Sequence, residues 1–213
     1  MSPSEEALRV QMTDLCRSLF QRGFSVGTAG NVSALLPDGI LITPTNSRLG
    51  DIEPGRISKL DPSGQHVAGD KPSKEVFLHQ AFYETRPEAQ AVVHLHSTWA
   101  TVLSCRQDTD PSDCIPPLTP YVVMRVGTVR QLPYVMPGDP ASGDLIRSLN
   151  GACSAVLLAN HGPVVSGKDL FSAVCAAEEL EETAKLVCAL GDTQPRTLQE
   201  DDVAALRLKF GSM

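Results

Sequence analysis

The sequence predicts an α/β protein: one α/β/α layered domain over residues 1–213, with a mainly antiparallel central sheet. Three observations predict it. Short β-branched and aliphatic runs alternate with segments whose apolar residues recur every three to four positions, as strands and amphipathic helices do. Several strand candidates come in pairs around tight-turn residues, which join antiparallel neighbours. The chain is 42% hydrophobic and 20% charged over 213 residues, enough for one sizeable core and unlike a disordered segment.

Ser2-Pro3-Ser4-Glu5 opens the first helix: Ser2 suits the cap, Pro3 the first helical position, and Glu5 completes a capping box. Leu8, Met12, Leu15 and Leu19 repeat at helical spacing, and Gly23 ends the run. Val32 to Leu36 and Ile40 to Thr43 flank Pro37-Asp38-Gly39, a hairpin signal. Arg56 to Leu60 and His66 to Ala68 form a second pair around Pro62-Ser63-Gly64. Ser73 to Arg86 reads as a helix that Pro87 stops. A strand through Ala91-Val92-Val93-His94-Leu95-His96 follows, then a short helix from Thr98 to Ser104. Asp108 to Pro117 is polar and proline-rich, hence a loop, and two short strands are expected between Tyr121 and Val135. Ser142 to Leu149 is a helix, Ser154 to Leu158 a strand and Val164-Val165 a short one. A long helix runs from Lys168 to Leu190, with Glu178, Glu179, Glu181 and Glu182 expected on or near its solvated face. A last helix covers Gln199 to Lys209.

The net charge of −7 excludes a broadly basic surface, so no nucleic-acid partner is expected; a small anion needs only a local positive pocket. The N-terminal residues are polar and acidic, without the apolar core of a signal peptide, and no apolar run reaches the length of a membrane span. No membrane partner is therefore expected. The six cysteines include no C-x-x-C pair and read as reduced thiols of a cytoplasmic protein, Cys114 being the one expected to be exposed.

The chemistry concentrates at His94-Leu95-His96. Residues i and i+2 of a strand share a face, so the two imidazoles should stand side by side at a strand end. His161, in Asn160-His161-Gly162, follows a second apolar run, and Glu75 opens a helix. Three imidazoles and a carboxylate make a ligand set for zinc. His79, one helical turn after Glu75, either supports the site or packs at the helix–sheet junction. Thr28 to Ser33 and Thr43-Pro44-Thr45-Asn46 are small, polar and turn-prone, and Ser73 and Lys74 precede a helix. Such backbone suits a phosphate.

Taken together, Gly27 to Ser33, Ile42-Thr43-Pro44-Thr45, Pro72-Ser73-Lys74-Glu75, Val93 to His96 and Asn160-His161-Gly162 resemble the class II aldolase/adducin family, in family order and across almost the whole chain. The resemblance implies one Zn2+ per subunit held by His94, His96 and His161, with Glu75 as ligand or base. It implies phosphate binding through Asn31, Thr45 and Ser73, which Asn46 and Lys74 adjoin, and a homotetramer with sites between subunits. Gly69 to Phe77, Pro117 to Gly127, Pro137 to Pro140 and Leu158 to Gly167 look like the branch that decarboxylates a phosphorylated four-carbon 3-keto acid through a metal-stabilised enediolate. Glu75 and Tyr121 are the expected proton-handling groups. Two alternatives stand beside this: an aldolase cleaving a ketose or sugar-acid phosphate, and a non-catalytic adducin-like interaction module. The chain departs from the aldolase pattern at Asn46, where the pattern has glycine, at Lys74, where it has a second serine, and in lacking the aldolases' C-terminal tyrosine.

Overall fold

Strand and helix signals settle into one mixed sheet with helices on both faces. The structure, a computed structural model, describes residues 4–191 and 193–210. In chain order its helices are α1 (Glu5–Gln21), α2 (Val76–Thr85), α3 (Thr98–Cys105), α4 (Pro120–Arg125), α5 (Ala141–Ser148), α6 (Leu170–Leu190) and α7 (Glu200–Phe210). The strands are β1 (Asn31–Leu36), β2 (Gly39–Ile42), β3 (Ser58–Leu60), β4 (His66–Ala68), β5 (Ala91–His94), β6 (Val129–Leu132), β7 (Ala155–Leu158) and β8 (Gly162–Gly167). They form a single sheet in the order β4-β3-β2-β1-β5-β8-β7-β6. Only the β6–β7 pair is parallel.

The period-two alternation of the central strands builds the layers. Val93, Ala155, Leu157 and Val165 pack with Met12, Cys16 and Leu19 of α1, Ala100 and Leu103 of α3, and Ala173, Ala177 and Leu180 of α6. Their strand neighbours Val92, Val156, Leu158 and Val164 face the other way, onto Leu78 and Phe82 of α2 and Ile146 of α5. A strand buried on both faces reads as a continuous apolar run, as Ala155-Val156-Leu157-Leu158 does.

Local corrections to the sequence reading have identifiable causes. The N-cap of α1 is Ser4, whose Oγ accepts from the Ala7 N–H at 3.2 Å; Ser2 and Pro3 lie outside the described residues. The first of the two strands expected after Tyr121 is α4: Thr119 caps it by accepting from Val122 N–H, and Pro120 occupies its first turn. That cap outweighs the β-branched Val122-Val123 pair, an apolar run too short to distinguish strand from helix. Cys114 is buried and Cys105 is the exposed thiol; all six cysteines are free. The 108–117 loop lies along the edge strand β6, with Cys114 N–H donating to Val129 C=O at 2.7 Å and Gln131 N–H to Pro111 C=O at 3.0 Å. It covers backbone groups that an open edge would expose. Glu181 is buried rather than solvated, because its carboxylate accepts Trp99 N–H and Ala100 N–H, each at 2.8 Å, at the start of α3. Ser97 leaves those donors uncapped.

Candidate metal centre and substrate cleft

The site sits where three neighbouring strands end or begin. Asn31, the first residue of β1, pairs with His94, the last of β5, and His94 pairs in turn with Val164 of β8. His161 immediately precedes β8, so antiparallel pairing brings it to the same sheet end as His94. Close backbone approach makes this possible: a Cβ at Gly162 would lie 2.4 Å from Leu95 O, and one at Gly30 would lie 2.9 Å from His94 O. β5 stops at His94, so His96 reaches the site from the turn before α3, not from a strand face.

The three imidazoles converge through Nε2. His94 to His96 is 3.2 Å, His94 to His161 is 3.3 Å and His96 to His161 is 3.0 Å. Nitrogens bound tetrahedrally to one zinc at 2.0–2.1 Å stand about 3.3 Å apart. His94 Nδ1 lies 2.9 Å from Pro163 O, a carbonyl that only accepts, so Nδ1 carries the proton and Nε2 offers a lone pair. Burial pushes His94 down to about 3, and the nearness of a second titratable imidazole, His161, adds to the effect. Burial likewise pushes His96 down to about 4 and lowers His161. Neutral imidazoles with converging lone pairs are what a divalent metal requires.

Glu75 completes the cluster. Its Oε2 is 3.6 Å from His94 Nε2 and its Oε1 3.7 Å from His161 Nε2. Glu75 is the residue before α2, whose helical residues begin at Val76 rather than Ser73. Asn31 Nδ2 donates to Glu75 Oε2 at 2.9 Å. His79 is buried one turn into α2, with Nε2 2.5 Å from Asn31 Oδ1 and Nδ1 2.7 Å from Ser33 Oγ. Of its two expected roles, the structure thus places it in polar contact with the site's own residues.

A cleft of about 230 Å³ opens beside the histidines, and Asn31, Thr45, Asn46, Ser73, Lys74, Glu75 and His96 all line it. Its two phosphate-suited loops are tied by a bridge between Pro44 and Pro72 and by Thr45 N–H donating to Lys71 C=O at 2.9 Å. Asn46 has φ 55°, which explains how asparagine stands where the aldolase pattern has glycine: it tolerates the left-handed region best among side-chain-bearing residues. Lys74 is the one lysine or arginine lining the cleft among the described residues. On the other side of Glu75 lies a separate, much smaller cavity of about 10 Å³, lined by Leu78, Val135, Met136, Leu158 and His161 among others. Tyr121 does not join this group. It lies on α4, 56% exposed, with the Arg125 guanidinium 5.6 Å above its ring, and lines no part of the cleft.

The Class II Aldolase and Adducin N-terminal domain profile matches residues 10–188, most of the chain. The chain belongs to the class II aldolase and adducin family. It is 52% identical over 204 residues to 3-oxo-tetronate 4-phosphate decarboxylase of Escherichia coli K12, covering 95% of this chain and 96% of that protein. It is 31% identical over 205 residues to L-fuculose phosphate aldolase of the same organism, covering 94% and 92%. The crystal structure of YgbL from Klebsiella pneumoniae superposes with a TM-score of 0.93 at 48% identity, covering 97% of this chain and 100% of that one. The expected class II aldolase-like fold, mainly antiparallel, is the one observed.

Proposed function

We propose that this protein decarboxylates 3-oxo-tetronate 4-phosphate to dihydroxyacetone phosphate and CO2, with one zinc per subunit. The observation that carries this is the His94–His96–His161 triad with Glu75 beside it, at one end of a polar cleft with a single lysine. Similarity at 52% identity to a protein of that named activity supports the substrate. A zinc ion held by the three histidines, with Glu75 as a further ligand only while no substrate is bound, would supply Lewis acidity toward the substrate carbonyl.

The chain's own residues do the rest. Ser73, Thr45, Asn46 and Lys74 take the phosphate, with Asn31's second amide hydrogen free to assist. The Lys74 cation belongs on the phosphate, because a cation held on the carboxylate would stabilise the group that must leave. When the C1–C2 bond breaks, its electron pair passes into the enediolate conjugated with C3, and C2 then takes up one proton. Glu75 handles that proton at the carbon beside it. Tyr121, outside its own chain's cleft, reaches a site only across a subunit interface, and serves there to resupply Glu75 with the one proton that C2 takes up. The assembly that the family resemblance implies, a homotetramer with sites between subunits, provides such an interface; no described helix is long and apolar enough to cross a membrane.

The aldolase reading has a specific obstacle. Aldolases of this family use a tyrosine near the C-terminus, and the tyrosines here are Tyr83, Tyr121 and Tyr134, with none in α7. A panel of phosphorylated keto acids and ketose phosphates, assayed for CO2 and for aldehyde, decides between the two. CO2 from the four-carbon keto acid supports the proposal, and aldehyde release alone refutes it.

A further inference from the structure

A hydrogen-bond chain runs from the interior to Glu75: Tyr83 Oη to Ser33 Oγ at 2.6 Å, Ser33 Oγ to His79 Nδ1 at 2.7 Å, His79 Nε2 to Asn31 Oδ1 at 2.5 Å, and Asn31 Nδ2 to Glu75 Oε2 at 2.9 Å. Each direction is forced by the next. Asn31 presents its amide nitrogen to Glu75 and its oxygen to His79. His79 must then donate from Nε2. It is fully buried, and burial pushes it down to about 3, so the neutral ring leaves Nδ1 bare to accept the Ser33 hydroxyl hydrogen. The Ser33 oxygen, having spent its own hydrogen, receives that of Tyr83. Every donor in the chain points toward Glu75.

We infer that His79 is a positioning residue, which fixes the amide orientation of Asn31 and through it holds Glu75 Oε2 beside His94. Asn31 without a donor behind its oxygen is free to flip, and a flipped amide presents oxygen to a carboxylate and repels it. The five residues of the chain are buried or half-buried, so water does not readily replace a missing one. Asn31 thereby anchors Glu75 through its amide nitrogen and also lines the cleft. The sequence carried half of this signal, since Glu75 and His79 are one helical turn apart, but the link runs through Asn31 on β1, which sequence spacing does not reveal.

The consequence for turnover rests on the proposed role of Glu75; the geometric part does not. Two readouts test it together. The first is the tautomer of His79 in wild-type protein, zinc-free and zinc-loaded, from long-range nitrogen–proton correlation spectra. The inference requires the proton on Nε2, and a proton on Nδ1 overturns it. The second compares His79→Gln with His79→Asn and His79→Leu. A glutamine amide nitrogen takes the place of Nε2 and keeps the donor to Asn31, whereas asparagine is too short to reach and leucine has no donor. Zinc affinity, by competition with a chelator, and kcat should stay near wild type in His79→Gln. Both should fall roughly 10–100-fold in the other two variants, with KM changed only a few-fold. A purely structural role moves all three together with their thermal stability, and equal zinc affinity in the Gln and Asn variants overturns the inference. If His79→Leu does not fold, the Gln–Asn comparison still decides. A wild-type protein that binds zinc but releases no CO2 sinks the proposed function and leaves the tautomer and the zinc affinities to judge His79.

Discussion

Glu75 Oε2 stands 3.6 Å from Nε2 of His94, although the two residues come from different elements, the N-terminus of α2 and the end of β5. A carboxylate this close to a metal-directed imidazole suits both a ligand and a base. Glu75→Gln keeps the shape and removes the charge. Turnover should fall roughly 10²–10⁴-fold and zinc affinity should also weaken. Steady-state kinetics with bound zinc measured in the same samples checks both; an unaffected variant removes Glu75 from the mechanism.

Tyr121 gives a prediction about assembly. Tyr121→Phe should slow turnover with zinc content unchanged. Mixing inactive Glu75→Gln with Tyr121→Phe subunits should regain activity, because some interfaces then join an intact Glu75 to an intact Tyr121. Mixed assemblies with no more activity than either parent would place Tyr121 outside the site.

Lys74 is the local cation of an otherwise acidic protein. A charge-assisted hydrogen bond to phosphate contributes about 1.5–3 kcal/mol. Lys74→Met should therefore raise KM for the phosphorylated substrate roughly 10–100-fold while zinc content stays normal. An unchanged KM makes Lys74 a solvent-facing residue of the turn before α2.

Burial pushes both His79 and His94 down to about 3, well below the 6.5 of a free imidazole, and this sets a pH dependence for the metal-free protein. Between those values the unfolded chain binds more protons than the folded one. Folding stability therefore rises with pH across that window and is progressively lost as pH falls from about 6.5. The urea midpoint of zinc-free protein should drop between about pH 7 and pH 5. A midpoint that stays level or rises contradicts the buried, neutral state of these imidazoles.

Much of this site was legible before folding, for specific reasons. His94, His96 and His161 each follow an apolar strand run, and a polar, metal-prone side chain at a strand end has few packing roles. The Ser73–Glu75 turn and the Thr43–Asn46 loop were visible as small polar residues beside an element start. Tertiary relations were not visible. The Asn31–Glu75 contact spans 44 residues and the Glu181 cap on α3 spans more than 80, and neither has a local sequence signal. α4 is the opposite case: its signal, Thr119-Pro120, is local and clear, but the valines after it have the composition of a strand. Cys114 was misplaced because loop polarity does not reveal that the 108–117 loop lies along a sheet edge.

The most direct test of the account is product stoichiometry on 3-oxo-tetronate 4-phosphate with purified, zinc-loaded protein. CO2 and dihydroxyacetone phosphate should appear one for one, stop when a chelator strips the metal and resume when zinc is returned. Undiminished CO2 release from verified metal-free protein, or no CO2 at all from the zinc-loaded enzyme, would contradict it.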